Sequence, residues 1–189
     1  MKPTLAIVIP IGPVGNAWHG LLPQLEQVLA KEIALVLPSE CPGEAVPLTN
    51  ERLLLVVSPA GRARQLTAVA KATESNWRWF PHAGSRFDGG TINALDAFTL
   101  ANPTALGYFN LRFLKDGSRR MPINAFGARL RSRLLGLLFG DQGFVMPRRV
   151  YEALGEFDEA LPGGEAFYLS SADLPPLRTA LLPKQWWPW

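Results

Sequence analysis

Leu5 to Ile9 is apolar at every position and the run stops at Pro10. A run without a polar face predicts a central parallel strand buried on both sides. The segment IGPVGN follows as a loop. Leu21, Leu22, Leu25, Val28 and Leu29 then recur at helical spacing, which predicts an amphipathic helix over about residues 22–31. Ile33–Leu37 predicts a second buried strand, Arg52–Val57 a third and Trp77–Phe80 a fourth. Residues 61–73 carry a helix between the last two, and residues 89–101 carry another, with Asp88 as its cap. This order of strands and helices predicts an α/β fold: a mostly parallel, doubly wound sheet with helices on both faces.

The second half is less regular. Leu106–Leu114 alternates, with Phe109, Leu111 and Phe113 on one face and Tyr108, Asn110 and Arg112 on the other, which predicts a half-exposed antiparallel strand. Ile123, Phe126, Leu130, Leu134 and Leu137 follow as one helical face. Phe144–Met146 reads as a short buried strand. Pro147 suits the first position of a helix over Arg148–Leu154, and Gly155 ends it. A last strand falls near Thr179–Leu182, ahead of a tail containing Trp186, Trp187 and Trp189.

With 189 residues the chain is expected to form one domain. Charged residues make up 19%, below the usual ~25%. The net charge of +3 is mild. Arg and Lys cluster between residues 112 and 133, yet no nucleic-acid motif accompanies them, so no nucleic-acid partner is expected. Cys41 is the one cysteine, which excludes an internal disulfide and thiolate metal clusters. No apolar run is long enough to span a membrane and the first residues lack a leader pattern, so a cytoplasmic location is expected. The tryptophans are a large apolar surface. They fold back on the core, close a homodimer interface or bind a partner.

In doubly wound sheets ligands sit beyond the carboxyl ends of the strands. Four loops follow from that rule: 10–16, 38–44, 58–65 and 81–88. The third is the richest. Gly61-Arg62-Ala63-Arg64-Gln65 opens a helix, whose free amides favour an anion, and Arg62 and Arg64 add guanidinium groups suited to a pyrophosphate. Arg62 and Gln65 are three apart and share a helix face. The plainer alternative is a helix start with exposed arginines. In the fourth loop His82 either serves a ligand or is held by a local hydrogen bond. Asp88 either reaches in as a metal ligand or caps the next helix.

Three stretches in order, GRARQ at 61–65, LRSRLLGLLFGDQG at 130–143 and GDQGFVMPRRVYEALGEF at 140–157, carry a resemblance. Over about residues 4–165 the chain resembles family-2 glycosyltransferases of the GT-A fold. It is closest to a bacterial subgroup of radical-SAM/selenodomain-associated transferases. The resemblance implies transfer of a sugar from a nucleotide diphosphate to an acceptor. It assigns Pro10, Glu40, Arg62, Arg64 and Gln65 to the nucleotide and its phosphates. Residues 1–88 then form the nucleotide-binding half and residues 89–189 the acceptor half with the tryptophan-rich tail. His82, Gln142 and Arg148 fall to the sugar and acceptor and Asp141 and Glu165 to catalysis, while Asp88, four residues past Gly84, is the substitute at hand for a divalent Mg or Mn ion. Three positions depart from the pattern. The first loop lacks the carboxylate that relatives carry after Pro10. Gly84 stands where relatives have a metal-binding acid, and Ala166 where they have the base. An inverting transfer needs a carboxylate within reach of the attacking hydroxyl. In its absence Glu165 is the substitute at hand.

Three functions follow: a glycosyltransferase with altered carboxylates and reduced or retained activity, a non-catalytic binding or assembly module on the same fold, and a nucleotidyltransferase. The last is disfavoured, because IGPVGN carries no Lys or Arg for a phosphate.

Overall fold

The computed structural model describes residues 3–12, 17–40, 50–109, 138–139, 143–153, 166–167 and 180–181. The strands are β1 (Leu5–Pro10), β2 (Glu32–Pro38), β3 (Leu53–Ser58), β4 (Trp77–Trp79), β5 (Gly107–Tyr108), β6 (Leu138–Phe139), β7 (Val145–Pro147), β8 (Ala166–Phe167) and β9 (Ala180–Leu181). The helices are α1 (Leu22–Leu25), α2 (Arg62–Ala72), α3 (Gly89–Ala101) and α4 (Arg148–Ala153), with a 3₁₀ turn at Ala17–Gly20.

Seven strands form one sheet in the order β3-β2-β1-β4-β7-β5-β9, and β6 pairs with β8. β1 lies parallel to both β2 and β4, and β2 lies parallel to β3. β7 runs against both of its neighbours, β4 and β5. The fold is thus the mixed α/β sheet expected, with one reversed strand in its middle.

Alternation along the central strands separates two apolar cores. Ile7, Ile9, Ile33, Leu35, Trp77, Trp79 and Val145 meet Trp18, Leu21 and Leu25 near α1 and Ile92, Leu95 and Phe98 of α3. On the other face Val8, Ala34, Val36, Phe80 and Met146 meet Leu66, Val69 and Ala70 of α2 and Tyr151 of α4. Each fully buried aliphatic side chain of this kind contributes about 1.5–3 kcal/mol.

Some expectations are corrected. The helix over 22–31 is one turn long: after Leu25 the bonds Gln27 N–H to Gln24 O and Val28 N–H to Leu25 O are three-residue turns. Arg52 Nη1 donates to the carbonyls of Val28 and Ala30, and Lys31 N–H to Leu5 O, which draws the chain into β2. Pro147 ends β7 opposite Trp77, and the helix starts one residue later. Gly107, Tyr108 and Phe109 are all buried, so the described part of that strand has no exposed face. The helical face over 123–137 lies outside the described residues.

Candidate functional site

The carboxyl ends of β1, β2, β3 and β4 share one edge of the sheet, because these strands run in parallel. β7 comes down beside β4, and Phe80 N–H donates to Phe144 O at 2.8 Å. The end of the GDQG segment, Gly143, therefore arrives at the same edge. Gly143 has φ 58°, a left-handed conformation that glycine adopts without penalty.

At this edge the first three loops are tied together. The Glu40 carboxylate accepts the Ala60 N–H, at 3.2 Å and 3.0 Å to its two oxygens. Hydrogen bonds from its own backbone N–H and from that of Ala60 hold the carboxyl below its ordinary range, and Arg64 adds an attractive charge. Gln65 is buried, and its amide nitrogen donates to Ile11 O at 2.9 Å and Val36 O at 3.3 Å. It clips the start of α2 to the ends of β1 and β2. Pro10, Glu40, Arg64 and Gln65 thus come together around one corner of the edge.

Gly61 sits at the N-cap of α2 with φ 126°, a conformation open to glycine alone without strain, and as glycine it supplies no side-chain cap, nor does another side chain among the described residues. The first-turn amides therefore lack the side-chain partner that Ser, Thr or Asp would supply there. Such an end favours a negative group through both its N–H donors and the helix dipole. Arg64 lies exposed in the same turn. The side chain of Arg62, and Asp141, Gln142 and Glu165 altogether, lie outside the described residues.

His82 follows β4 at the same edge. Gly84 N–H donates to His82 Nδ1 at 3.1 Å, and Ser85 N–H to His82 O at 2.9 Å. An accepting Nδ1 leaves the proton of the neutral ring on Nε2. Ser85 is buried, and its Oγ has no hydrogen-bond partner among the described residues. Gln24 and Arg86 hold this loop, and neither stood out in the sequence. Gln24 Nε2 donates to Gly20 O at 2.8 Å, while its Oε1 accepts Phe87 N–H at 2.6 Å. Arg86 Nη1 donates to Ser85 O at 2.7 Å, and its guanidinium lies where a Cβ on Gly20 would stand. Their partners are 63 and 66 positions away in the chain or in loop backbone, so no spacing announces them.

Asp88 caps α3. Its Oδ1 accepts Thr91 N–H at 2.9 Å, and Thr91 Oγ1 accepts Asp88 N–H at 3.3 Å, a reciprocal capping box. The Thr91 N–H bond is the main reason its carboxyl sits below the ordinary value. Arg148 is apart from all these residues. Because β7 is reversed, its end lies at the opposite edge, where Arg148 N–H donates to Asn76 O at 2.9 Å and Arg148 Nε pairs with Glu152 at 2.7 Å.

No family model and no curated protein matches the sequence. Solved structures do match the fold. A mannosyltransferase from Pyrobaculum calidifontis, in complex with GDP-Man and Mn2+, superposes with a TM-score of 0.65 at 16% identity, covering 87% of this chain and 50% of that one. The chain has the fold of GT-A-type glycosyltransferases. Mannosyl-3-phosphoglycerate synthase from Rubrobacter xylanophilus gives 0.56 at 15% identity over 79% of this chain and 54% of its own. S. aureus TarS gives 0.60 at 16% identity, over 84% and 51%. The chain spans about half the length of each of these three neighbours.

A divalent ion accompanies the first of these neighbours. Among the described residues no three His, Cys, Asp or Glu side chains gather as a metal would require. His82 Nδ1 is occupied by Gly84 N–H, and Asp88 is engaged as a cap. A hard, oxygen-preferring cation finds no matching donor set in the loop after β4. Among the described residues no helix is long and apolar enough to cross a membrane.

Proposed function

We propose that the chain is a glycosyltransferase-like protein that binds the diphosphate of a nucleotide sugar at the carboxyl edge of its sheet. The observation that carries this reading is the uncapped start of α2, with Arg64 in its first turn, tied by Glu40 and Gln65 to the ends of β1, β2 and β3. In this reading the α2 amides and Arg64, with Arg62 beside it in sequence, neutralise the two phosphates. Pro10 and Glu40 border the base. His82 and the GDQG segment face the sugar and acceptor, with Asp141 and Glu165 as the carboxylates for the transfer. The likeness to a structure holding GDP-Man makes a GDP-sugar the first donor to try.

A second reading is favoured by the loop after β4. With Gly84 at the acidic position and Asp88 in a capping box, the fold is suited to a non-catalytic module that holds a nucleotide or a partner at the same edge. The two readings part on turnover. Incubation with GDP- and UDP-sugars, with and without Mn2+, followed by assay of released nucleoside diphosphate, tests the first. Release above the uncatalysed rate that falls with Glu165→Gln supports a transferase. Nucleotide binding without release leaves the binding module, and neither binding nor release contradicts both.

A further inference from the structure

The outer strand of the sheet is exposed in a way that the site does not use. β3 is an end strand, hydrogen-bonded to β2 on one side among the described residues. Its sequence, LLLVVS, has no charge and no proline, the devices that normally blunt a free edge. Leu54 and Val56 turn toward the α2 core, whereas Leu53 turns toward the opposite one. On that second face Leu55 is 41% and Val57 63% exposed. Leu29, 76% exposed, sits in the turn that Arg52 clamps beside the start of this strand.

Backbone directions can be read from the ladder. Ile33 N–H donates to Arg52 O, and Ser39 N–H to Ser58 O, so even-numbered residues of β3 turn their polar groups toward β2. Those of Leu53, Leu55 and Val57 therefore point to the free edge, where the Leu53 N–H is taken by Asn50 O. Of these, Leu55 and Val57 carry exposed apolar side chains, while Leu53 is partly buried against the core.

We infer that two copies of this chain pair antiparallel through β3, about a two-fold axis at Leu55. In that register Leu55 faces Leu55 of the second copy as a hydrogen-bonded pair that exchanges both bonds. Val57 N–H reaches Leu53 O of the second copy, and the reverse. The axis stands perpendicular to the sheet, so Leu53, Leu55 and Val57 of both copies form one apolar stripe on one face. Leu54 then pairs with Val56 of the second copy on the other face. The turn before β3, with exposed Glu51, falls toward the carboxyl end of the second copy's β3, the end from which α2 with its exposed Arg64 starts, which adds charge complementarity. A strand of this length is about 20 Å long, and its pairing buries less than the ~800 Å² per partner of a standard interface. The dimer is therefore a reversible one whose population grows with concentration. This inference does not rest on the proposed function.

Sedimentation velocity of the full chain over a concentration series tests it. The weight-average mass should climb from 20.8 kDa toward twice that value. Val57→Lys should hold the protein at the monomer mass, since each introduced charge falls beside the apolar stripe. Leu55→Pro should do the same while sparing the β2–β3 ladder, because the N–H it removes faces the free edge. Leu100→Lys, at an exposed site on α3, should leave the dimer intact. A monomer at every concentration would overturn the inference, as would a dimer that survives both β3 variants.

Discussion

Gln65 and Asp88, both expected to serve a ligand, each make hydrogen bonds that also hold the fold. Gln65 is buried with its amide on the carbonyls of Ile11 and Val36, so Gln65→Leu should lower stability by about 1–3 kcal/mol, chiefly the cost of stranding the Ile11 acceptor, since Val36 O keeps the Ile11 N–H. Urea unfolding measures that loss. For Asp88 the capping box predicts that Asp88→Ala costs about 1 kcal/mol and that Asp88→Asn, itself a good cap, costs little. A ligand role would instead make the two variants equally harmful to any Mn2+-dependent signal. Residue identity alone left these roles open. GRARQ in sequence announces an anion site, but whether its glutamine faces outward depends on where the ends of β1 and β2 lie, 54 and 29 residues away. Asp88 was legible as a cap because its partner, Thr91, is three residues on.

At the scale of elements, the central strands and the two longer helices follow directly from their apolar patterns. β1, β2, α2 and α3 end within a residue or two of where the patterns end. The segment over 22–31 did not follow. Leu21, Leu25 and Val28 are buried as a helical face requires, but the same spacing also satisfies successive three-residue turns. The reversal of β7 was also hidden, since three apolar residues buried on both faces carry no directional signal. That reversal decides the fate of Arg148, which it moves to the edge opposite the candidate site. Packing between elements gives a sharp contrast among glycines. A Cβ on Gly107 would meet Phe98 Cε1 and Cζ at 2.7 Å and Val145 Cγ1 at 2.9 Å, where β5 passes between α3 and β7. Gly107→Ala should therefore destabilise by about 1–3 kcal/mol through overpacking. Gly89→Ala, at the open first position of α3, should be neutral or stabilise by up to about 1 kcal/mol. Thermal melts of the two variants check the contrast.

Over the whole molecule, the parallel strands bring loops distant in sequence to one edge, and the carboxylates that fasten the structure share a pH signature. At Glu32 burial raises the carboxyl pKa, but the Ser75 hydroxyl and the N–H groups of Glu74 and Ser75 outweigh it and bring it below the ordinary 4.5. Glu40 and Asp88 are likewise lowered by hydrogen bonds. Groups lowered in the folded state make the unfolded chain bind more protons, so stability rises with pH across that window. Their contribution is complete above the ordinary carboxylate range and is lost as pH falls through the folded values. Glu32→Gln should lower stability at neutral pH and flatten its acid dependence, as followed by urea unfolding at a series of pH values.

In the proposed function the start of α2 holds a diphosphate. Thermal unfolding with GDP, UDP and their sugars, in the presence and absence of Mn2+, tests it most directly. A nucleotide at ~100 times its dissociation constant should add about 2.7 kcal/mol of stability. The expected result is a stabilisation that needs no metal, that disappears in Arg62→Ala/Arg64→Ala, and that persists in Arg148→Ala at the far edge of the sheet. The absence of a shift with every nucleotide, or a shift untouched by the paired arginine substitutions, would contradict it.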